Sequence, residues 1–112
     1  MNNFKEKDKI ELKKEGNLWV CQIEGKEFGF RKLTWGEKNK ITEISQKVGP
    51  NGQLYFSLSE FNVNLVLGTL KKAPFPITRE SLESYPDAKL IDICLNIATD
   101  MNLASPREIQ NL

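Results

Sequence analysis

Histidine is missing from all 112 residues, and with it the commonest general base, the commonest metal ligand and every Ser-His or Cys-His nucleophile. Cysteine is almost as scarce. Cys21 and Cys94 lie far apart among apolar neighbours, the pattern of two buried, reduced thiols in a cytoplasmic protein, and only the fold decides whether their Cα atoms approach. Two isolated cysteines without histidine make no zinc site, so no metal and no cofactor is expected. No apolar run approaches the ~20 residues of a membrane helix, and the opening Asn, Lys and Glu-rich stretch has no leader-like apolar core. The expected location is the cytoplasm, with no membrane partner. Charge of one sign is lacking too: 16 Lys and Arg face 15 Asp and Glu, a net +1 that argues against a phosphate-binding surface.

Glycine loops for phosphate are absent as well. Gly49-Pro50-Asn51-Gly52 follows a helical pattern rather than a strand and has no lysine to reach a phosphate, so it reads as a turn. Carboxylates are plentiful, yet Glu37, Glu60 and Glu108 sit at helix-capping positions and Asp92 and Asp100 on a polar helix face, where exposed groups make poor acids at neutral pH. Enzymatic activity is therefore not expected.

What is present specifies one domain of α+β class, mostly α: an N-terminal β-hairpin followed by a small four- to five-helix bundle. Residues 1–15 alternate Lys with Glu or Asp and read as a charged flexible arm, or a short helix without a packed face. Residues 16–112 form the globular domain, with the hairpin over 17–31 and the bundle over 34–112. In the hairpin, a two-residue turn at Glu24-Gly25 sets Trp19 opposite Phe30 and Cys21 opposite Phe28, gathering four apolar groups on one face.

Helix starts are legible. Thr34 with Glu37 and Ser57 with Glu60 each match a capping box; the first helix is expected to run to about Val48, and the second to end before Ala73-Pro74. Thr78 caps a short helix containing Leu82 and Tyr85, a fourth helix begins near Pro86-Asp87, and Ser105, Pro106 and Glu108 open a short terminal one. Leu67 and Ile97 fall within the broad apolar arcs of the two central helices.

The remaining candidates for recognition are apolar groups at element boundaries, among them Trp35, Tyr55, Phe56, Phe75, Ile77 and Tyr85. Phe75, Ile77, Tyr85 and Trp35 are the candidate partner-binding residues. Phe75 stands out, because Pro74 and Pro76 hold its backbone stiffly and fix the angle of its ring. Such aromatics either close a core or anchor an interface.

Three segments resemble the phage tail assembly chaperones over about residues 28–112: Leu33-Thr34-Trp35-Gly36-Glu37, Leu70-Lys71-Lys72-Ala73-Pro74-Phe75 and Met101-Asn102-Leu103. The resemblance implies a chaperone in the host cytoplasm that binds tape measure and tail tube proteins during assembly, and is absent from the finished particle. The N-terminal hairpin departs from an all-helical chaperone and leaves a structural subunit of a phage particle as the alternative. A small DNA-binding regulator, with the Thr78 helix and the fourth helix as helix-turn-helix, is the further rival. Its drawback is that residues 77–103 hold only Arg79 and Lys89 against Glu80, Glu83, Asp87, Asp92 and Asp100.

Overall fold

The computed structural model describes residues 10–102, which form six strands and four helices. The expected pairing of β2 (Leu18–Ile23) with β3 (Lys26–Phe30) is present, with Trp19 opposite Phe30 and Cys21 opposite Phe28. Glu24 and Gly25 both take positive φ, 52° and 79°, as a tight two-residue turn between right-twisted strands requires.

That pair is not a free-standing hairpin leading into a helical bundle. It forms the centre of a four-stranded antiparallel sheet ordered β1 (Lys13–Glu15), β2, β3, β6 (Leu70–Lys72), which corrects the expected architecture. On one side β1 (Lys13–Glu15) pairs with β2, so the end of the supposed charged arm is sheet; a two-residue turn with Gly16 at φ 63° returns the chain. On the other side β6 (Leu70–Lys72) leaves the second helix and pairs with β3 at Phe30 and Gly29. Leu70 is fully buried there, whereas extending the helix would withdraw it from Phe30. A three-stranded or larger sheet with one apolar face is self-supporting where an isolated hairpin is marginal.

Helix α1 (Trp35–Ile44) opens with the expected capping box: the Thr34 hydroxyl accepts from the Glu37 amide and the Glu37 carboxylate accepts from the Thr34 amide. It stops four residues short of Val48. Ser45 is fully buried and its hydroxyl donates to the Ile41 carbonyl at 2.6 Å, after which β4 (Gln46–Val48) pairs antiparallel with β5 (Leu54–Phe56). The Gly49-Pro50-Asn51-Gly52 segment thus turns a second hairpin, one that helical periodicity had concealed.

Helix α2 (Leu58–Thr69) is capped by half a box. Ser57 accepts from the Glu60 amide, but the Glu60 carboxylate turns to Arg79 and Lys47, and the Ser57 amide donates to the Ser45 carbonyl instead. Gly68 permits close packing against α1, since a Cβ there would lie 3.1 Å from Leu33 and 3.2 Å from Ile41. Thr78 caps α3 (Arg79–Ser84) as expected, and α4 (Ala88–Asn102) closes the described chain. The Ser105-Pro106-Glu108 box lies outside the described residues, as do residues 1–9 of the arm.

The core lies between the inner face of the sheet and α2, α3 and α4, with Phe28, Phe30, Leu70, Leu90 and Cys94 at its centre. Leu67 packs against this core half-buried and Ile97 is buried within it. No helix among the described residues is long and apolar enough to cross a membrane.

Both thiols are free and buried. Burial pushes Cys21 from the ordinary 9.0 up to about 11, and burial together with the nearby Cys21 pushes Cys94 up to about 12. Neither supplies thiolate at neutral pH. The folded chain should therefore resist a chromogenic disulfide reagent, and both thiols should react once guanidinium unfolds it; rapid reaction of either in the native state would show that the core opens there. Because both values are raised, their contribution to stability is complete below the unfolded value near 9 and is lost as pH climbs through about 11 to 12.

Candidate functional site

Three of the four candidate partner-binding residues come together, but as part of the core. The Phe75 ring lies edge-on to Phe28 at 6.0 Å and 4.8 Å from Tyr85, and Phe75, Ile77 and Tyr85 are all half-buried against the central cluster. Pro74 and Pro76 do stiffen this turn; the ring they hold is aimed inward, onto β3. Trp35 stands apart from them and is 79% exposed.

The large apolar groups left in solvent among the described residues fall within one stretch of sequence: Trp35, Ile44, Val48, Leu54, Tyr55, Phe56 and Leu58. Their exposure follows from local structure. Trp35 is the first residue of α1, where the side chain projects past the helix end, and the β4–β5 hairpin has apolar groups on both its faces. Register sets Val48 opposite Leu54, with Phe56 on the same face, while Tyr55 pairs with Lys47 on the other. A monomer rarely leaves so many such groups together without a partner for them.

Trp35 is joined to the hairpin through a cleft. The space between α1 and α2, about 240 Å³, is lined by Leu33, Trp35, Lys38, Ile41, Phe61 and Leu65. Phe61, on its α2 wall, lies 5.4 Å from the Phe56 ring. The surface therefore runs from Trp35 across the cleft to the hairpin.

Partly exposed ion pairs link the elements that carry this surface. Glu60 receives both guanidinium nitrogens of Arg79, at 2.8 and 3.2 Å, and Lys47 of β4 at 3.7 Å, while Arg79 also reaches Glu83. The hydrogen bond from Arg79 lowers the Glu60 carboxyl below its ordinary value. At the other end Arg31 donates to Glu37 at 2.9 Å; this bond, then the Thr34 amide, holds Glu37 down to about 2. That contribution of Glu37 is present above its unfolded value near 4.5 and lost as pH falls through about 2. Lys38, at the cleft, has no ion-pair partner among the described residues.

Among the described residues no three His, Cys, Asp or Glu side chains group as metal ligands. Tyr55 and Phe56 already stood out in the sequence as boundary aromatics, whereas Val48 and Leu54 did not. The signal that could have found them is the order Gln46-Lys47-Val48, a Gly-Pro-Asn-Gly turn, then Leu54-Tyr55-Phe56, which is a hairpin pattern. No family model matches the chain, and neither the curated proteins nor the solved structures yield a match.

Proposed function

We propose that this chain is a non-catalytic protein-binding module that serves as a tail assembly chaperone, covering an apolar helical segment of a tape measure protein while the tail is built. The observation that supports this reading is the run of exposed apolar groups from Trp35 to Leu58, continuous with the α1–α2 cleft. An amphipathic helix fits such a cleft by inserting apolar residues spaced three and four apart. The Lys38 ammonium, without an ion-pair partner among the described residues, favours a segment with a carboxylate beside those residues. Trp35 is the anchor, as an exposed, mostly apolar ring with one hydrogen-bond donor.

Electrostatics weigh against the DNA-binding alternative. The exposed side of α4 presents Asp92 and Asp100 with Lys89, while its other side, Leu90, Cys94, Ile97 and Ala98, is buried in the core.

The test is co-expression with the tape measure and tail tube proteins of the same genome, followed by capture through this chain. Trp35→Ala should reduce capture of the tape measure protein by about tenfold or more, a hot-spot loss of at least ~1.4 kcal/mol, and leave the urea midpoint nearly unchanged. Failure to capture either protein, or capture indifferent to Trp35→Ala, would overturn the reading.

A further inference from the structure

The edges of the two sheets are treated differently. The outer strands of the main sheet, β1 and β6, contain Lys13, Lys14, Lys71 and Lys72, and edge lysines discourage the addition of another strand. The strand β5 has no such guard. It reads Leu54-Tyr55-Phe56, with no charge and no proline, and among the described residues no third strand joins the β4–β5 pair.

The ladder shows which backbone groups are left over. The Gly49 amide bonds the Gln53 carbonyl at 2.7 Å and the Ser57 amide bonds the Ser45 carbonyl at 2.8 Å, with Lys47 opposite Tyr55 midway between. Antiparallel pairs alternate, so Tyr55 turns its N–H and C=O toward β4, while Leu54 and Phe56 turn theirs outward. Leu54 and Phe56 are also exposed as side chains.

We propose that the outer edge of β5 pairs antiparallel with β5 of a second copy of this chain, joining the two hairpins into one four-stranded sheet across a two-fold axis at Tyr55. In that register Leu54 stands opposite Phe56 of the second copy and exchanges both backbone bonds with it; the symmetry repeats the exchange on the other side of the axis. All the outward groups of Leu54 and Phe56 are then satisfied, and the Leu54 and Phe56 side chains of both copies form one apolar strip. Charge selects this edge over that of β4. A two-fold axis on β4 would set Lys47 against its own copy, and like charges directly opposite are unfavourable, whereas no charge lies within β5. A contact of identical patches closes at two subunits. The inference stands apart from the chaperone reading, since a failed capture by Trp35 would leave it untouched.

Tyr55 and its copy would form a non-hydrogen-bonded pair with Cα atoms about 4.5 Å apart, within reach of a disulfide. With Cys21 and Cys94 buried, an engineered thiol at the surface is the reactive one. Under mild oxidation Tyr55→Cys should give a covalent dimer, and Lys47→Cys should not. Adding Leu54→Pro to Tyr55→Cys removes an outward amide that the hairpin does not use, and should slow crosslinking by about tenfold, the scale of one or two lost hydrogen bonds. Should that variant melt early, Tyr55→Lys offers a second route, since it sets two ammonium groups on the axis and should shift the sedimentation equilibrium toward monomer. A faster crosslink through Lys47→Cys, a Tyr55→Cys crosslink indifferent to Leu54→Pro, or a monomer at every concentration would overturn the proposal.

Discussion

Replacing Phe28 by alanine is expected to lower the unfolding free energy by about 3 to 5 kcal/mol, the range for an aromatic removed from a well-packed interior. Phe28 is fully buried on the inner face of β3, paired across the strands with Cys21 and edge-on to Phe75. Removing the ring leaves a cavity bounded by the sheet, whose hydrogen-bonded backbone cannot close over it cheaply. Phe75→Ala should cost less, because that ring is only half-buried, and the two changes should not be additive. A double-mutant cycle should return a coupling of about 0.5 to 1.5 kcal/mol for the ring pair. Urea melts would measure all three variants. A loss below about 0.5 kcal/mol for Phe28→Ala, in the range of surface changes, would mean that the sheet does not pack as described.

The same ring pair shows where sequence reasoning succeeds and where it stops. The register of β2 on β3 was legible, because a Glu-Gly turn of two residues with alternating apolar positions leaves few choices, and the pairing of Trp19 with Phe30 follows. The Thr34–Glu37 box was legible for the same reason, since its partners are three residues apart. The box at Ser57 was misread in part because Glu60 is claimed by Arg79, 19 residues away, and by Lys47, and no local pattern reports that competition. Strand β6 escaped notice because Leu70-Lys71-Lys72 continues the composition of α2; it becomes a strand only because β3 offers Phe30 an unpaired edge. The packing of Phe75 against the core was hidden by the same limit. Stiffness is a local property, but exposure depends on whether β3 and the segment at Tyr85 arrive to pack against the ring, and they do.

Asn102→Leu is expected to destabilise the protein by about 2 to 4 kcal/mol despite the same side-chain branching, because it would leave buried polar groups without partners, at about 1 to 3 kcal/mol each. The Asn102 side chain is buried at the end of α4, where its Oδ1 accepts from the Leu33 amide at 2.7 Å and its Nδ2 donates to the Thr69 hydroxyl at 3.0 Å and the Ala98 carbonyl at 2.9 Å. One amide thus ties the segment entering α1 to the end of α2 and the end of α4. Leucine supplies neither the acceptor nor the donor. The Leu33 amide suffers most, since a backbone donor has no means of turning to another acceptor, whereas the Thr69 hydroxyl can rotate toward a carbonyl of its own helix. Asn102→Asp separates the two halves of the argument. It keeps an acceptor for the Leu33 amide but points a carboxylate at the Ala98 carbonyl, so it should also be destabilised at neutral pH. Its deficit relative to the native protein should shrink as pH falls, because a protonated carboxyl regains a donor; burial without a cation raises the folded pKa, and stability so linked is present at low pH and lost as pH rises. Urea melts of both variants over a pH series decide the matter. An Asn102→Leu variant as stable as the native chain, or an Asn102→Asp deficit independent of pH, would show that this amide does not join the three segments.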